Sequence, residues 1–159
     1  RPRFVSLDIN DVVREVLTLT RSDQESHQIR EQTKLSLKLP CVRGDRIQLQ
    51  QVMLNLIANA IETMQANKRQ PRNLLVSTRM NRTGGVQIAV ADTGPGLDPD
   101  AAGRLFDPFF TTKRGGMGLG LSVCLSIVEA HGGRLWASPN SPRGAVFQFT
   151  LPAAGKKRS

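Results

Sequence analysis

Tyrosine is absent from this 159-residue sequence, and one Trp and six Phe make up an aromatic content of only 4%. Nucleic-acid interfaces interleave basic residues with stacking side chains, so the net charge of +9 does not by itself indicate one. Lys and Arg are scattered along the chain without a recognition-helix pattern, and a nucleic-acid module is kept only as an alternative. It would bind duplexes with a strong salt dependence that a nucleotide does not compete with. There are only two cysteines, Cys41 and Cys124, far apart and without partners at metal-ligand spacing. That excludes a disulfide framework and a zinc site, and it fits a reduced, cytoplasmic setting. No apolar run approaches the roughly 20 residues of a membrane helix, and no signal-peptide pattern is present, so no membrane contact is expected. No phosphate loop ending in Gly-Lys-Ser/Thr exists, and the one dense glycine cluster lacks the dinucleotide-binding spacing. The sequence has no internal repeat and starts at Arg1 without Met, which suggests a piece of a longer protein.

What is present is patterned for one core. At 39% hydrophobic residues, a chain of this length buries roughly 70% of its unfolded surface. Val12, Val13, Val16 and Leu17 at helical spacing predict a first helix from Asp8 to about Leu19, with Asp8 or Asn10 as its cap. Residues 33 to 39 alternate in polarity and end at Pro40, which predicts a half-buried strand. Between Asp45 and about Gln65, the series Ile47, Leu49, Val52, Met53, Leu56, Ile57, Ala60, Ile61 and Met64 predicts a second helix with a wide buried face, capped by Asp45. Strands at Leu74 to Met80 and Val86 to Ala91 flank the turn residues Asn81 to Gly85. A third helix is expected from about Leu119 to Ala130, ending at Gly132-Gly133, with strands at Arg134 to Ala137 and Ala145 to Leu151. Three helices and about five strands predict a two-layer α/β sandwich with the helices on one face. Residues 1–152 form one domain, and 153–159 a basic tail.

Four blocks carry candidate chemistry. On the second helix Gln48, Gln51, Asn55, Asn59 and Glu62 recur at steps of three and four, forming an amide-rich stripe beside the apolar face. Solvated helix faces usually hold Lys and Glu, and Asn is a poor helix former, so two Asn one turn apart hint at a ligand. An amide oxygen is a hard neutral ligand that suits Mg²⁺ bridged to phosphates. Asp92-Thr93-Gly94-Pro95-Gly96 follows a buried strand, where Asp92 can accept from an exocyclic amine such as adenine N6 and the glycines admit a flat base. An ordinary turn is the other reading. Thr93 to Met117 holds too many Gly and Pro for a regular element and is too long for a plain connection, which suggests a lid. Within it, Phe106-Asp107-Pro108-Phe109-Phe110-Thr111-Thr112-Lys113 offers aromatic anchors and a cation for phosphate, or else a small satellite core. Gly116-Met117-Gly118-Leu119-Gly120 leads into a helix whose free N–H groups and positive end suit a polyphosphate, although a glycine hinge would look the same.

In this order and at these separations the four blocks resemble the N, G1, F and G2 boxes of the histidine kinase catalytic domain, within the Bergerat-fold ATPases that include DNA gyrase. Gly44-Asp45-Arg46, Ile127 to Gly133 and Phe147 to Pro152 extend the resemblance over nearly the whole chain. It implies a mixed sheet of about five strands backed by three helices, with ATP between helix and lid and Mg²⁺ held by Asn59. The implied nucleotide contacts are Asn55, Asn59, Glu62, Asp92, Gly94, Gly96, Leu97, Thr112, Lys113, Gly116, Met117, Gly118, Leu119 and Gly120, with Asn55, Asn59 and Lys113 serving catalysis. Implied partners are a histidine-bearing dimerisation domain and, downstream, a response-regulator receiver domain.

Departures from the pattern refine this. Where Bergerat-fold hydrolases hold a water-activating Glu one turn before the metal-binding Asn, this chain has Asn55. An amide is no general base, so transfer to histidine is favoured over hydrolysis. Glu62 and Thr63 stand where many histidine kinases have a basic and an aromatic residue, which moves the phosphate-binding role to Lys113. The N and F boxes look like those of the nitrogen- and oxygen-sensing branch. His27, followed by Gln28, and His131, followed by Gly132, lack the acidic neighbour of a phosphoacceptor; they are read as a loop-surface and a helix-end residue. A catalytically silent nucleotide-binding module is the alternative, and a hydrolase a more distant one.

Overall fold

The computed structural model describes residues 2–66, 68, 71–100, 102–107 and 120–155. Its centre is a five-stranded mixed sheet in the order β2-β4-β5-β7-β6, built from β2 (Arg30–Leu35), β4 (Asn73–Met80), β5 (Val86–Ala91), β6 (Leu135–Pro139) and β7 (Ala145–Leu151). β2 runs parallel to β4, and the other pairs are antiparallel. Period-2 alternation gives the sheet one covered face: Leu74 and Val76, Val86, Ile88 and Val90, Phe147, Phe149 and Leu151 are buried. Helices α1 (Ile9–Ser26), α2 (Arg46–Gln65) and α3 (Gly120–Ala130) bury their apolar stripes in the same core, with α2 packed between the other two. On the other face Gln87 donates to Gln148 (2.6 Å), and the Arg134 guanidinium lies 5.6 Å from the Trp136 ring centroid. This is the expected two-layer sandwich of three helices and five sheet strands.

The caps sit where the sequence places them. Asp45 accepts from Gln48 N–H at the start of α2, and Asp8 from Asn10 N–H at the start of α1. Asn10, the other cap candidate, is buried and spans two strands instead, donating to Ser36 O (2.8 Å) and accepting from the Thr78 hydroxyl (2.8 Å). Gly132, at φ +80°, ends α3 in the left-handed conformation, and Gly133 N–H returns to Val128 O.

Other expectations are corrected. α1 extends to Ser26 rather than to about Leu19, because Thr20 and Gln24 continue its buried face: the Thr20 hydroxyl bonds Val16 O, and Gln24 donates to Thr20. The strand expected over 33–39 instead spans Arg30–Leu35. Pairing with β4 decides its extent, and Leu37, apolar in the alternating run, is 92% exposed. Ile47 lies 76% exposed on the outer side of α2 rather than in its core face. His27 caps the end of α1 and is half-buried, not a loop-surface residue. A two-stranded antiparallel pair was not foreseen: β1 (Val5–Leu7) and β3 (Val42–Gly44) lead into α1 and α2 respectively. Ala153 bridges to Val42, and Ala154 N–H donates to Cys41 O (2.7 Å), so the start of the basic tail lies against β3.

Candidate functional site

The amide stripe of α2 organises the site. Asn55 and Asn59 are half-buried, while Gln51 and Glu62 are exposed. Asn55 Nδ2 donates to Gly120 O (3.3 Å), the first residue of α3, and one turn into α3 the buried Cys124 thiol donates to Val52 O (3.8 Å). Burial pushes that thiol up to about 12, so Cys124 stays protonated near neutral pH and serves packing rather than nucleophilic chemistry. One turn beyond Asn55 comes Asn59, and one turn further Thr63, whose Cγ2 would lie 2.8 Å from a Cβ placed on Gly94. Beside it the Met64 sulfur lies 3.7 Å from the Thr93 hydroxyl. Three turns of one helix therefore join the start of α3 to the Asp92–Gly94 turn, with Asn59 between them.

Asp92 is 1% exposed and held on every side that a β-strand end allows. Its N–H donates to Ala145 O (2.9 Å), prolonging the β5–β7 ladder by one rung, and its carbonyl accepts from Asn140 Nδ2 (2.7 Å). Carboxylate Oδ1 accepts from Gly94 N–H (2.9 Å) and Ala145 N–H (3.3 Å). The next residue, Thr93, donates its hydroxyl to Pro71 O (2.8 Å) and accepts from Asn73 N–H (3.0 Å), which ties the turn to the start of β4. Gly96, at φ +90°, lies against Gly144 O, 3.2 Å from where its Cβ would stand. A carboxyl group so enclosed is held in one orientation.

Sequence reasoning missed the residues that enforce that orientation: Thr93, Asn140, Gly144 and Ala145. Gly144 is the most demanding of them. At φ +104°, a Cβ there would stand 1.9 Å from Asp92 O, so any side chain would push β7 away from the turn. Gly144→Ala is expected to lower stability by about 3 kcal/mol, from left-handed strain plus overpacking, read as a shifted urea midpoint.

Of the predicted contacts, the structure sets Gly120 against Asn55 and the Asp92–Gly94 turn against Thr63, with Asn59 between them on α2 and Glu62 exposed, while Gly96 lies against Gly144. Leu97 and Phe106 pack on the core, and Phe106 meets Phe147 edge to face at 6.3 Å, so this part of the predicted lid is anchored by its aromatic residue. Thr112, Lys113, Gly116, Met117, Gly118 and Leu119 lie outside the described residues. Among the described residues no three His, Cys, Asp or Glu side chains cluster to hold a metal, and no helix is long and apolar enough to cross a membrane.

Comparison with known proteins bears on this arrangement. Residues 44–155 match the family described as histidine kinase-, DNA gyrase B-, and HSP90-like ATPase. The chain is 41% identical over 152 residues to the C4-dicarboxylate transport sensor protein DctS of Rhodobacter capsulatus, covering 95% of this chain and 23% of that protein. It thus spans about a quarter of that curated relative's length. Among solved structures, the catalytic domain of histidine kinase ThkA superposes with a TM-score of 0.83 at 33% identity, covering 94% of this chain and 95% of that one. Full-length ShkA in complex with AMPPNP superposes with a TM-score of 0.85 at 30% identity, covering 99% of this chain and 33% of that one.

Proposed function

Since the chain belongs to the family of histidine kinase-, DNA gyrase B- and HSP90-like ATPases, we propose that it is the ATP-binding catalytic domain of a sensor histidine kinase, delivering the γ-phosphoryl group to a histidine on a separate dimerisation domain. The observation that carries the reading is the line along α2, from Asn55 at Gly120 through Asn59 to the Asp92 turn at Thr63. This supports the reading because one helix would then carry the adenine reader, a hard oxygen ligand and the start of a phosphate-binding helix. Residues 1–152 are proposed as the catalytic domain and 153–159 as its tail, in a cytoplasmic setting. A response-regulator receiver domain is the proposed downstream partner; a structure of ThkA in complex with the response regulator protein TrrA has the same fold at 30% identity, TM-score 0.82.

In this reading Asp92 accepts from the adenine amine, while Gly94, Gly96 and Leu97 shape the base slot. Asn59 would hold Mg²⁺, which its neutral amide oxygen suits as a hard ligand. The bound ion neutralises charge on the phosphates. Asn55 fixes the α2–α3 spacing, and the sequence pattern assigns the polyphosphate to the glycine block of Gly116, Met117, Gly118, Leu119 and Gly120. Lys113, beside Thr112, steadies the terminal phosphate, and Glu62 contributes at the rim. Phosphoryl transfer needs little more than such positioning and charge neutralisation.

Asn55 separates kinase from hydrolase, because it offers no base for water where a hydrolase has Glu. Incubated with ATP labelled at the γ-phosphate, the chain alone is expected to release almost no inorganic phosphate, yet to label a histidine-bearing dimerisation domain supplied in trans. Free phosphate in excess of labelled protein would favour the hydrolase. ATP binding with no labelling of any histidine domain would favour the silent module.

A further inference from the structure

His131 has no place in the nucleotide site, but it is the most connected side chain at the opposite end of the two helices that form it. The ring is 4% exposed, and both nitrogens are engaged: Nδ1 with Ile127 O (2.8 Å), and Nε2 with Asp45 N–H (3.0 Å). Accepting at Nε2 assigns the proton to Nδ1, which then donates within the last turn of α3. Gly44 leaves space for the ring, since a Cβ there would stand 2.9 Å from His131 Cδ2. The Phe4 ring stacks on the imidazole at 4.5 Å between centroids and 22° between planes. Arg3 N–H donates to Asp45 Oδ2 (2.7 Å), while Asp45 Oδ1 caps α2. One imidazole therefore joins the end of α3, the start of α2 and the segment that enters β1.

α2 and α3 pack side by side and are tied again along their contact, by the Cys124 thiol donating to Val52 O (3.8 Å) and, at the nucleotide end, by Asn55 to Gly120. Two adjacent helices pinned at both ends have a fixed register. Here that register sets Asn59 on α2 relative to Gly120, the first residue of α3. The adenine side of the site is held separately, by Asn140, Ala145 and Thr93, none of which touches this hub.

The geometry points to His131 as a positioning residue for phosphate and metal binding: its Nε2 bond to Asp45 holds the α2–α3 register, and Phe4 stacked on its face makes that register responsive to the segment entering at β1. The inference rests on the proposed function. It predicts a split between ligands. AMPPNP with Mg²⁺ uses both halves of the site, whereas ADP in EDTA depends mainly on the adenine half.

The variants separate ring packing from the hydrogen bond. His131→Phe keeps a ring on Phe4 but removes the acceptor; His131→Gln loses the ring but can present an amide oxygen to Asp45 N–H. In the full chain, calorimetry is expected to show His131→Phe binding AMPPNP·Mg²⁺ about tenfold more weakly, as for loss of a group that orients a metal ligand, with ADP in EDTA within about twofold of wild type. His131→Gln should recover AMPPNP·Mg²⁺ binding to within about threefold of wild type. Parallel losses for both ligands, or no loss for either, would reduce His131 to a packing residue and overturn the inference, as would equal behaviour of the two variants. If His131→Phe does not fold, Phe4→Ala decides: a selective loss of AMPPNP·Mg²⁺ affinity supports the coupling, and unchanged affinity overturns it. Wild-type protein that binds neither ligand would instead defeat the functional reading on which all of this stands.

Discussion

Asp92→Asn is expected to weaken ATP binding by about a hundredfold while leaving the fold nearly intact, a combination that Asp92→Ala cannot deliver. Alanine removes the acceptor used by Gly94 N–H and Ala145 N–H, and each buried donor left unpaired costs roughly 1–3 kcal/mol. Loss of ATP binding in Asp92→Ala would therefore be confounded by collapse of the turn and of the adjoining end of β7. Asparagine retains Oδ1 for both donors. What changes is the second carboxylate oxygen, which becomes an amide N–H₂, so a donor now faces the donor of an adenine amine. Loss of a hydrogen bond to a charged acceptor, with two donors opposed in a buried slot, is worth about 3 kcal/mol, on the order of a hundredfold in dissociation constant. Calorimetric titration with ATP beside a thermal melt of the same sample tests both halves. An Asp92→Asn protein that melts like wild type and binds ATP with wild-type affinity would remove Asp92 from the site.

The parts of this site that were legible in the sequence are those written in local pattern. α2 has an acidic cap and apolar residues at helical spacing over five turns, so the side on which Asn55 and Asn59 lie could be read directly. Asp92 could be placed because the apolar run of β5 ends at it, followed by turn residues. Ile47 shows the limit of the same reasoning: it is apolar and helical, yet its position on the wheel faces outward with Leu54. β1 and β3 have three residues each, too few for a period to appear, and their pairing joins segments distant in sequence. Gly144 reads as one more turn glycine in Ser-Pro-Arg-Gly. Only the approach of Asp92 O to its α-carbon makes it irreplaceable, and that contact spans two strands. His131 was rightly placed at a helix end, but its bond to Asp45, 86 positions away, leaves no trace in either local sequence.

Asn59→Ala should have the largest effect on phosphoryl transfer, and the reason lies in what cannot replace it. Among the described residues no cluster of acidic, His or Cys side chains stands ready to take a cation. Asn55, the nearest chemical equivalent, is one turn away with its amide nitrogen committed to Gly120 O. Without Asn59 the ion would keep only ligand phosphates and water, and loss of one preorganised electrostatic contact of this kind lowers rates by about 10²–10³. Transfer to a supplied histidine domain is accordingly expected to fall by about 10³, and ATP affinity should lose its dependence on added Mg²⁺. A thermal melt of the same variant separates this loss from unfolding, since the Asn59 side chain also has a contact of its own in the fold. Alanine is a better helix former than asparagine, which offsets the loss of that contact, so the melting temperature should stay near that of wild type. Asn59→Asp provides the complementary measurement: it keeps an oxygen in place and should retain Mg²⁺-dependent binding, although its altered charge changes the optimum metal concentration. If Asn59→Ala binds ATP with the same Mg²⁺ dependence as wild type, the ion is held elsewhere, and the role of the amide stripe must be assigned anew.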